Sequence, residues 1–402
     1  MKSGYFKAAA FFLVLFFAAF APRVFAAPPI DAVAGVPVFL DGKIWSESPE
    51  ELRSRLKIGG GETKTRDGGI LSCAIGQKIF GVDANEIKFE YANGKISSVK
   101  IVFFNKGDSV KDGKWNSRTA AKMRSDAREL FKKLSAAFGA AENSHIGGGA
   151  AKIRAKQWNC PSATIRVAFE DKEFIIMQAV PPAALAEKPA EKQQASGKKN
   201  LADSVEKSAN GDVVVNVPMV NQGAKGYCFP ATVERLLLHN GLADIDMHKL
   251  ADLFKTGVGG GTTLDNAADA ISKIARANKL KFGGAKRDFS QISKNIDAGV
   301  PMLWLMFSPA EYVSARRART KEREAADFKE WAKFCRKERK PKIGGMNADS
   351  AHVCLVVGYN RATKELAVSD SWSDGDVAPS WISFETFKAV SQDCPLFFVS
   401  PR

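Results

Sequence analysis

Cys228 stands in the stretch NQGAKGYCFPATVERLL, six residues after Gln222 and at the start of a periodicity that reads as an amphipathic helix. A thiol at that place suits nucleophilic chemistry, because the N–H groups of a helix N-terminus favour its anionic form. A thiolate that forms an acyl bond also needs a base, a group that orients the base, and a donor for the oxyanion. Of the four histidines, His145 falls in another part of the chain, and His239 and His248 read as surface positions at a helix end and a helix start. His352 opens the apolar run HVCLVVGYN, and Asp370 ends the next run, ELAVSD. Pairing these runs as a hairpin through NRATK brings a carboxylate beside the imidazole, where it can hold tautomer and orientation. Gln222 offers amide hydrogens alongside the backbone N–H of Cys228. Taken singly, a cysteine and a strand-edge histidine are ordinary packing residues. The four together describe a thiol acyl-transfer site.

The elements that must hold these residues are legible around them. The cysteine helix buries Val233, Leu236, Leu237 and Leu238, and it tolerates Pro230 in a first turn whose N–H groups have no intrahelical partner. A strand, DVVVNVPMV, precedes it; the strands VPMLWLMF, AHVCLVVGY and ELAVSDSW come later. GVGGGTTLD, residues 257–265, lacks the lysine of a phosphate-binding loop and reads as a capping turn, with Thr262 or Thr263 opening the next helix. Residues 311–342 hold twelve Lys and Arg against six Asp and Glu, with Phe328, Trp331 and Phe334 at helical spacing. They read as an inserted helical excursion docked by its aromatics, with a basic face open to an anionic surface or partner.

The order Gln222, Cys228, His352, Asp370, with Gly358-Tyr359 closing the histidine strand and Ser371-Trp372 after the aspartate, resembles the papain-like cysteine peptidases. Aspartate at the last position is more similar to the bacterial double-glycine leader peptidases of bacteriocin exporters and their stand-alone relatives. The resemblance covers residues 214–400 and implies a papain-like α+β domain there. It further implies that Cys228 is the nucleophile, His352 the general base and acid, Asp370 its orienting group and Gln222 part of the oxyanion hole, with Trp372 shielding the His–Asp contact. The reaction implied is hydrolysis of a peptide or protein substrate through an acyl-thioester, without cofactor or metal. Phe229 follows the cysteine where tryptophan is common, and neither a transmembrane bundle nor a Walker motif accompanies the domain, so the double-glycine substrate is not implied. Two alternatives use the same residues: a papain-like binding module with little turnover, and an acyl-transfer or amidase enzyme.

The whole chain reads as α+β in two units. Residues 1–26 have the basic start, apolar run Ala8–Ala21 and Val24-Phe25-Ala26 ending of a signal peptide cleaved near Ala26, so the mature chain is expected to be exported, with no membrane span. Residues 27–183 form a small α+β domain without a catalytic constellation. Its hairpin EIKFEYANGKISSVKIVFF turns at Asn93-Gly94 and offers a sheet edge to an extended segment, and its helix starts at a Ser125 cap. Residues 184–210, free of aromatics, read as a flexible linker, and residues 211–402 as the peptidase domain. The formal charge is +15, and removing Lys2, Lys7 and Arg23 leaves +12. No nucleic-acid-binding motif accompanies that charge. Of six cysteines, Cys73 and Cys160 are close enough in the first unit to pair.

Overall fold

A computed structural model describes residues 27–57, 62–65, 68–74, 76–110, 115–147, 152–182, 200–223, 226–242, 245–258, 260–338, 341–372 and 378–402. The expected signal segment, 1–26, and most of the expected linker lie outside these residues. The fold is α+β, built on two eight-stranded antiparallel sheets. No helix among the described residues is long and apolar enough to cross a membrane.

In the first sheet, β1 (Glu86–Ala92) and β2 (Lys95–Asn105) form the expected hairpin. Its turn needs positive φ at two positions, which Asn93 (φ 51°) and Gly94 (φ 74°) supply. The hairpin does not lie at an edge, however. Strand Gly68–Ala74 flanks β1, strand β3 (Phe174–Val180) flanks β2, and the sheet ends at Glu62–Thr65 and Glu142–Ile146. Both hairpin strands have their backbone groups taken by neighbours, so β-augmentation there is excluded. Helix α1 (Ser117–Phe138) buries Met123, Ala127, Leu130 and Leu134. Its cap is Asn116, whose side chain accepts from the Thr119 N–H. The helix therefore starts before Ser125, because the intervening Arg, Ala and Lys residues favour helix and an earlier cap is present. Cys73 and Cys160 do not pair; all six cysteines are free.

The second unit begins earlier than the composition suggested. Leu201–Ser204 form a 3-10 turn, and β4 (Val205–Lys207) pairs with β5 (Asp212–Val215). Leu201 is buried where Gly299 (φ +73°) passes so close that a Cβ would stand 1.9 Å from the Leu201 carbonyl oxygen. The following elements are α2 (Cys228–His239), α3 (Met247–Leu253), α4 (Leu264–Ala277), β6 (Leu280–Ala285), β7 (Met302–Phe307), α5 (Ala310–Ala325), α6 (Phe328–Lys337), β8 (Ala351–Asn360), β9 (Glu365–Ser369), β10 (Ser380–Ser383) and β11 (Leu396–Pro401). The sheet runs β4-β5-β8-β7-β11-β6, with β9 also on β8 and β10 on β9. Gly358 lets β5 and β8 meet, since a Cβ there would lie 2.5 Å from the Val213 oxygen.

Helix α2 is buried on nearly every side, which an amphipathic surface helix would not be. Val233, Leu236 and Leu237 join the core of the second unit. Glu234, equally buried, belongs to a charged seam between the units. Lys88 and Lys100 lie opposite each other on β1 and β2, an arrangement of like charges that is unfavourable unless acids cover it. Lys100 Nζ is 3.2 Å from Asp246 and 3.4 Å from Glu90, and Lys88 Nζ is 3.8 Å from Glu86. Asp246 also caps α3, accepting from the N–H groups of His248 and Lys249. Burial, partly offset by Lys88, pushes the Glu234 carboxyl up to about 7, while Lys100 helps hold Asp246 well below the carboxylate range against its burial. His248 is enclosed in this seam 3.9 Å from Glu86, and His239 is buried with Nε2 2.8 Å from the Gly299 oxygen. Neither histidine is a surface residue, because the first sheet and the chain around Gly299 cover them.

Candidate active site

Cys228 is the first residue of α2, following Tyr227. The backbone N–H groups of Val353 and Phe229 favour its anionic form, and Val353 also takes the Thr232 hydroxyl on its carbonyl at 3.2 Å. The Thr232 hydrogen bond ties the first turns of α2 to β8, directly after His352. Burial nevertheless outweighs these N–H groups, and the Cys228 thiol is raised. The expectation that the helix terminus lowers it fails for that reason: desolvation of a thiolate exceeds what three N–H dipoles return.

His352 pairs with Met306 of β7 at the opening of β8 and is buried. Trp372 covers one face of the imidazole, with ring centroids 4.2 Å apart and planes 24° from parallel. Burial depresses the imidazole to about 4, Asp370 acting against that shift and Arg316 adding to it. His352 Nε2 is buried and has no hydrogen-bond partner among the described residues.

Asp370 follows β9, which pairs with β8 as expected. Its Oδ1 accepts from the Trp372 N–H at 3.0 Å, and its Oδ2 pairs with Arg316 Nη1 of α5 at 2.7 Å, both side chains being nearly buried. No hydrogen bond joins the Asp370 carboxylate to His352 Nε2; the carboxylate is paired with the guanidinium instead. A second arginine, Arg235 of α2, fixes the backbone: it donates to the carbonyls of Pro218, Ser369 and Asp370 and to the Ser369 hydroxyl. Gln222 is tied to the same segment. Its N–H donates to the Ser371 carbonyl at 2.9 Å, and its Oε1 accepts from the Ser371 hydroxyl at 2.6 Å. The amide oxygen is thereby committed, which orients the amide nitrogen away from Ser371.

Gln222, Cys228, His352 and Asp370 therefore converge on one end of the β8–β9 pair. The sequence reading missed Arg235 and Arg316, and it named Ser371 without its bonds to Gln222. The signal for Arg316 was its spacing: Arg316, Arg319 and Arg323 form one stripe of α5. Arg319 pairs with Glu338 and Glu365, and Arg323 with Glu365 and Asp212. Glu365 is fully buried and also accepts from Trp331 Nε1 at 3.0 Å. The insertion thus docks by arginines and Trp331, while Phe334 is 52% exposed. The glycine turn also serves the site. A Cβ on Gly260 (φ +118°) would stand 2.5 Å from Gly226 Cα, two residues before Cys228. Thr263 caps α4 by position only, without a side-chain hydrogen bond, and Thr262 bonds to Thr256 instead.

A search of curated proteins finds no match to this chain. Residues 214–392, which contain Gln222, Cys228, His352 and Asp370, match the model of the Peptidase_C39 like family, which supports a papain-like cysteine peptidase segment there.

Proposed function

We propose that the second unit hydrolyses peptide bonds through an acyl-thioester on Cys228. His352 takes the thiol proton as sulfur attacks the carbonyl carbon, then gives it to the departing amine. Water next attacks the thioester, His352 taking its proton, and the acid leaves as the thiol is restored. Gln222 and the Cys228 N–H share the oxyanion, and Asp370 acts on the imidazole electrostatically. The observation that supports this reading is the hydrogen bond from the Thr232 hydroxyl of α2, four residues after Cys228, to the carbonyl of Val353, the residue after His352. Because the thiol is raised and the imidazole lowered, both are neutral at rest, so proton transfer accompanies attack and does not precede it.

Export is part of this proposal, supported by Lys2 and Lys7 ahead of the apolar run Ala8–Ala21 and by Val24-Phe25-Ala26. For the first unit we favour docking over inhibition, because its polar contacts with the second run through Glu234, Asp246 and His248 on α2 and α3. An anionic partner at the insertion has less support, since Arg316, Arg319 and Arg323 point inward. A second reading, a papain-like binding module with little turnover, is favoured by the capture of Asp370 by Arg316.

The test is turnover of a quenched peptide library by the full chain, with Cys228→Ala and His352→Ala alongside. Hydrolysis lost in both variants is expected. Hydrolysis equal in Cys228→Ala refutes the nucleophile, and no hydrolysis by the parent chain favours the binding module.

A further inference from the structure

We propose that Arg316 is a positioning residue that acts as a charge brake, holding Asp370 in an ion pair apart from His352 and so adding to the burial that keeps the imidazole neutral at rest. The inference rests on the reading of Cys228 and His352 as the reacting pair, and it goes beyond that reading in naming what restrains them.

Asp370 has accepted one N–H on Oδ1 and one guanidinium on Oδ2. The imidazole it would orient has a buried nitrogen, Nε2, with no partner among the described residues. Such an orphaned atom is uncommon in a folded protein and calls for a reason. Across Asp370, Arg316 Nε is likewise buried and unpartnered. Two donors or acceptors therefore lack partners on either side of one carboxylate. A guanidinium stays charged at any working pH and binds a carboxylate more strongly than a neutral imidazole can, so it wins the contest.

Charge adds to geometry. Asp370 and Arg316 are the charged groups that act on His352; Arg235, Tyr312 and Cys354 surround that ion pair, and β7 contributes the apolar Met306 opposite His352. Asp370 favours an imidazolium here, and Arg316 opposes one. Arg235 is committed to backbone carbonyls on the far side of Asp370 and does not compete for its carboxylate. Arg316 is delivered by α5, whose other attachments, Arg319 and Arg323 to Glu365, hold the helix to the opposite end of the same strand, β9.

Arg316→Gln removes the charge and keeps a donor; Arg316→Lys keeps the charge. Two readouts are made on the full chain: titration of His352 by NMR of labelled histidine, assigned with His352→Ala, and the pH profile of iodoacetamide reaction at Cys228. The parent chain and Arg316→Lys are expected to titrate His352 near 4. In Arg316→Gln the titration should move up by about one unit or more, with about a tenfold rise in Cys228 alkylation near neutral pH. Adding His352→Ala to Arg316→Gln should cancel the gain in alkylation. An unmoved titration in folded Arg316→Gln, or an equal rise in Arg316→Lys, overturns the brake. If Arg316→Gln fails to fold, the parent chain still decides: a His352 titrating at an ordinary value of about 6.5 refutes the proposal. The NMR readout does not depend on turnover, so a chain without peptidase activity leaves this test intact.

Discussion

Replacing Lys100 by Met should unseat the first unit from α3. The Nζ atom lies 3.2 Å from Asp246 and 3.4 Å from Glu90, with only 6% of the lysine side chain exposed. At that 3.2 Å distance and an effective dielectric constant of about 20, two unit charges attract by about 5 kcal/mol. Much of this is offset by desolvation while the pair is intact. Removing one partner leaves the other charge dry, which costs about 3–5 kcal/mol. Methionine keeps the apolar stem, so the loss isolates the charge. Lys122 supplies the control: it pairs with Asp126 at 2.6 Å but is 56% exposed. Lys122→Met should cost only about 0.2–1 kcal/mol. Urea unfolding followed by tryptophan fluorescence compares the two. Adding Asp246→Asn, which retains the helix cap, closes a double-mutant cycle. If Lys100→Met costs no more than Lys122→Met, or the cycle shows no coupling with Asp246, the buried seam is not what joins the units.

Gln222→Ala should raise the barrier to hydrolysis by about 2.7–4 kcal/mol if its amide donates to the oxyanion; unchanged kcat in a folded variant removes that role. Gly260→Ala should displace Gly226 and with it Cys228, so hydrolysis and Cys228 labelling should fall together while circular dichroism is kept; unaltered labelling would show that the contact does not set the nucleophile. In the parent chain, Cys228 titrates above the ordinary 9.0 of a thiol, so its alkylation should climb about tenfold per pH unit from neutrality toward that value. A rate already level below pH 7 would mean that a thiolate–imidazolium pair exists at rest.

How much of this was legible in the sequence depended on range. The Asn93-Gly94 turn and the β8–β9 hairpin are local, set by turn residues and adjacent apolar runs, and both were readable. So was the start of α2 at Cys228, because a proline in the first turn marks it. What escaped depended on partners far along the chain. His248 reads as exposed until Glu86, more than a hundred residues earlier, is laid against it. The hairpin looks like an edge until Phe174–Val180 returns beside β2. Composition marked residues 201–207 as linker, since nothing local says that β5 waits for a partner. At the site, residue types told which groups belong together but not how their charges divide. Arg316 counts as one more surface cation in a basic segment until the fold turns its stripe inward to Asp370.

The arginine stripe of α5 also solves a problem of registry. Strands β8 and β9 are buried on both faces, so the alternation that normally pins a strand to its neighbour is missing. Sliding β9 by one residue would exchange one apolar side chain for another at most positions, at little cost. Asp212, Asn360 and Glu365 lie in one row across β5, β8 and β9, and Asn360 donates to Asp212 at 2.6 Å. Arg323 spans the two acids of that row. A one-residue slip of β9 would turn Glu365 to the opposite face and bring Leu366 or Lys364 under two buried guanidinium groups. The row therefore discriminates between pairings that the hydrophobic effect treats as equal, and the correct pairing is the one that sets Asp370 and His352 at the same end of the sheet.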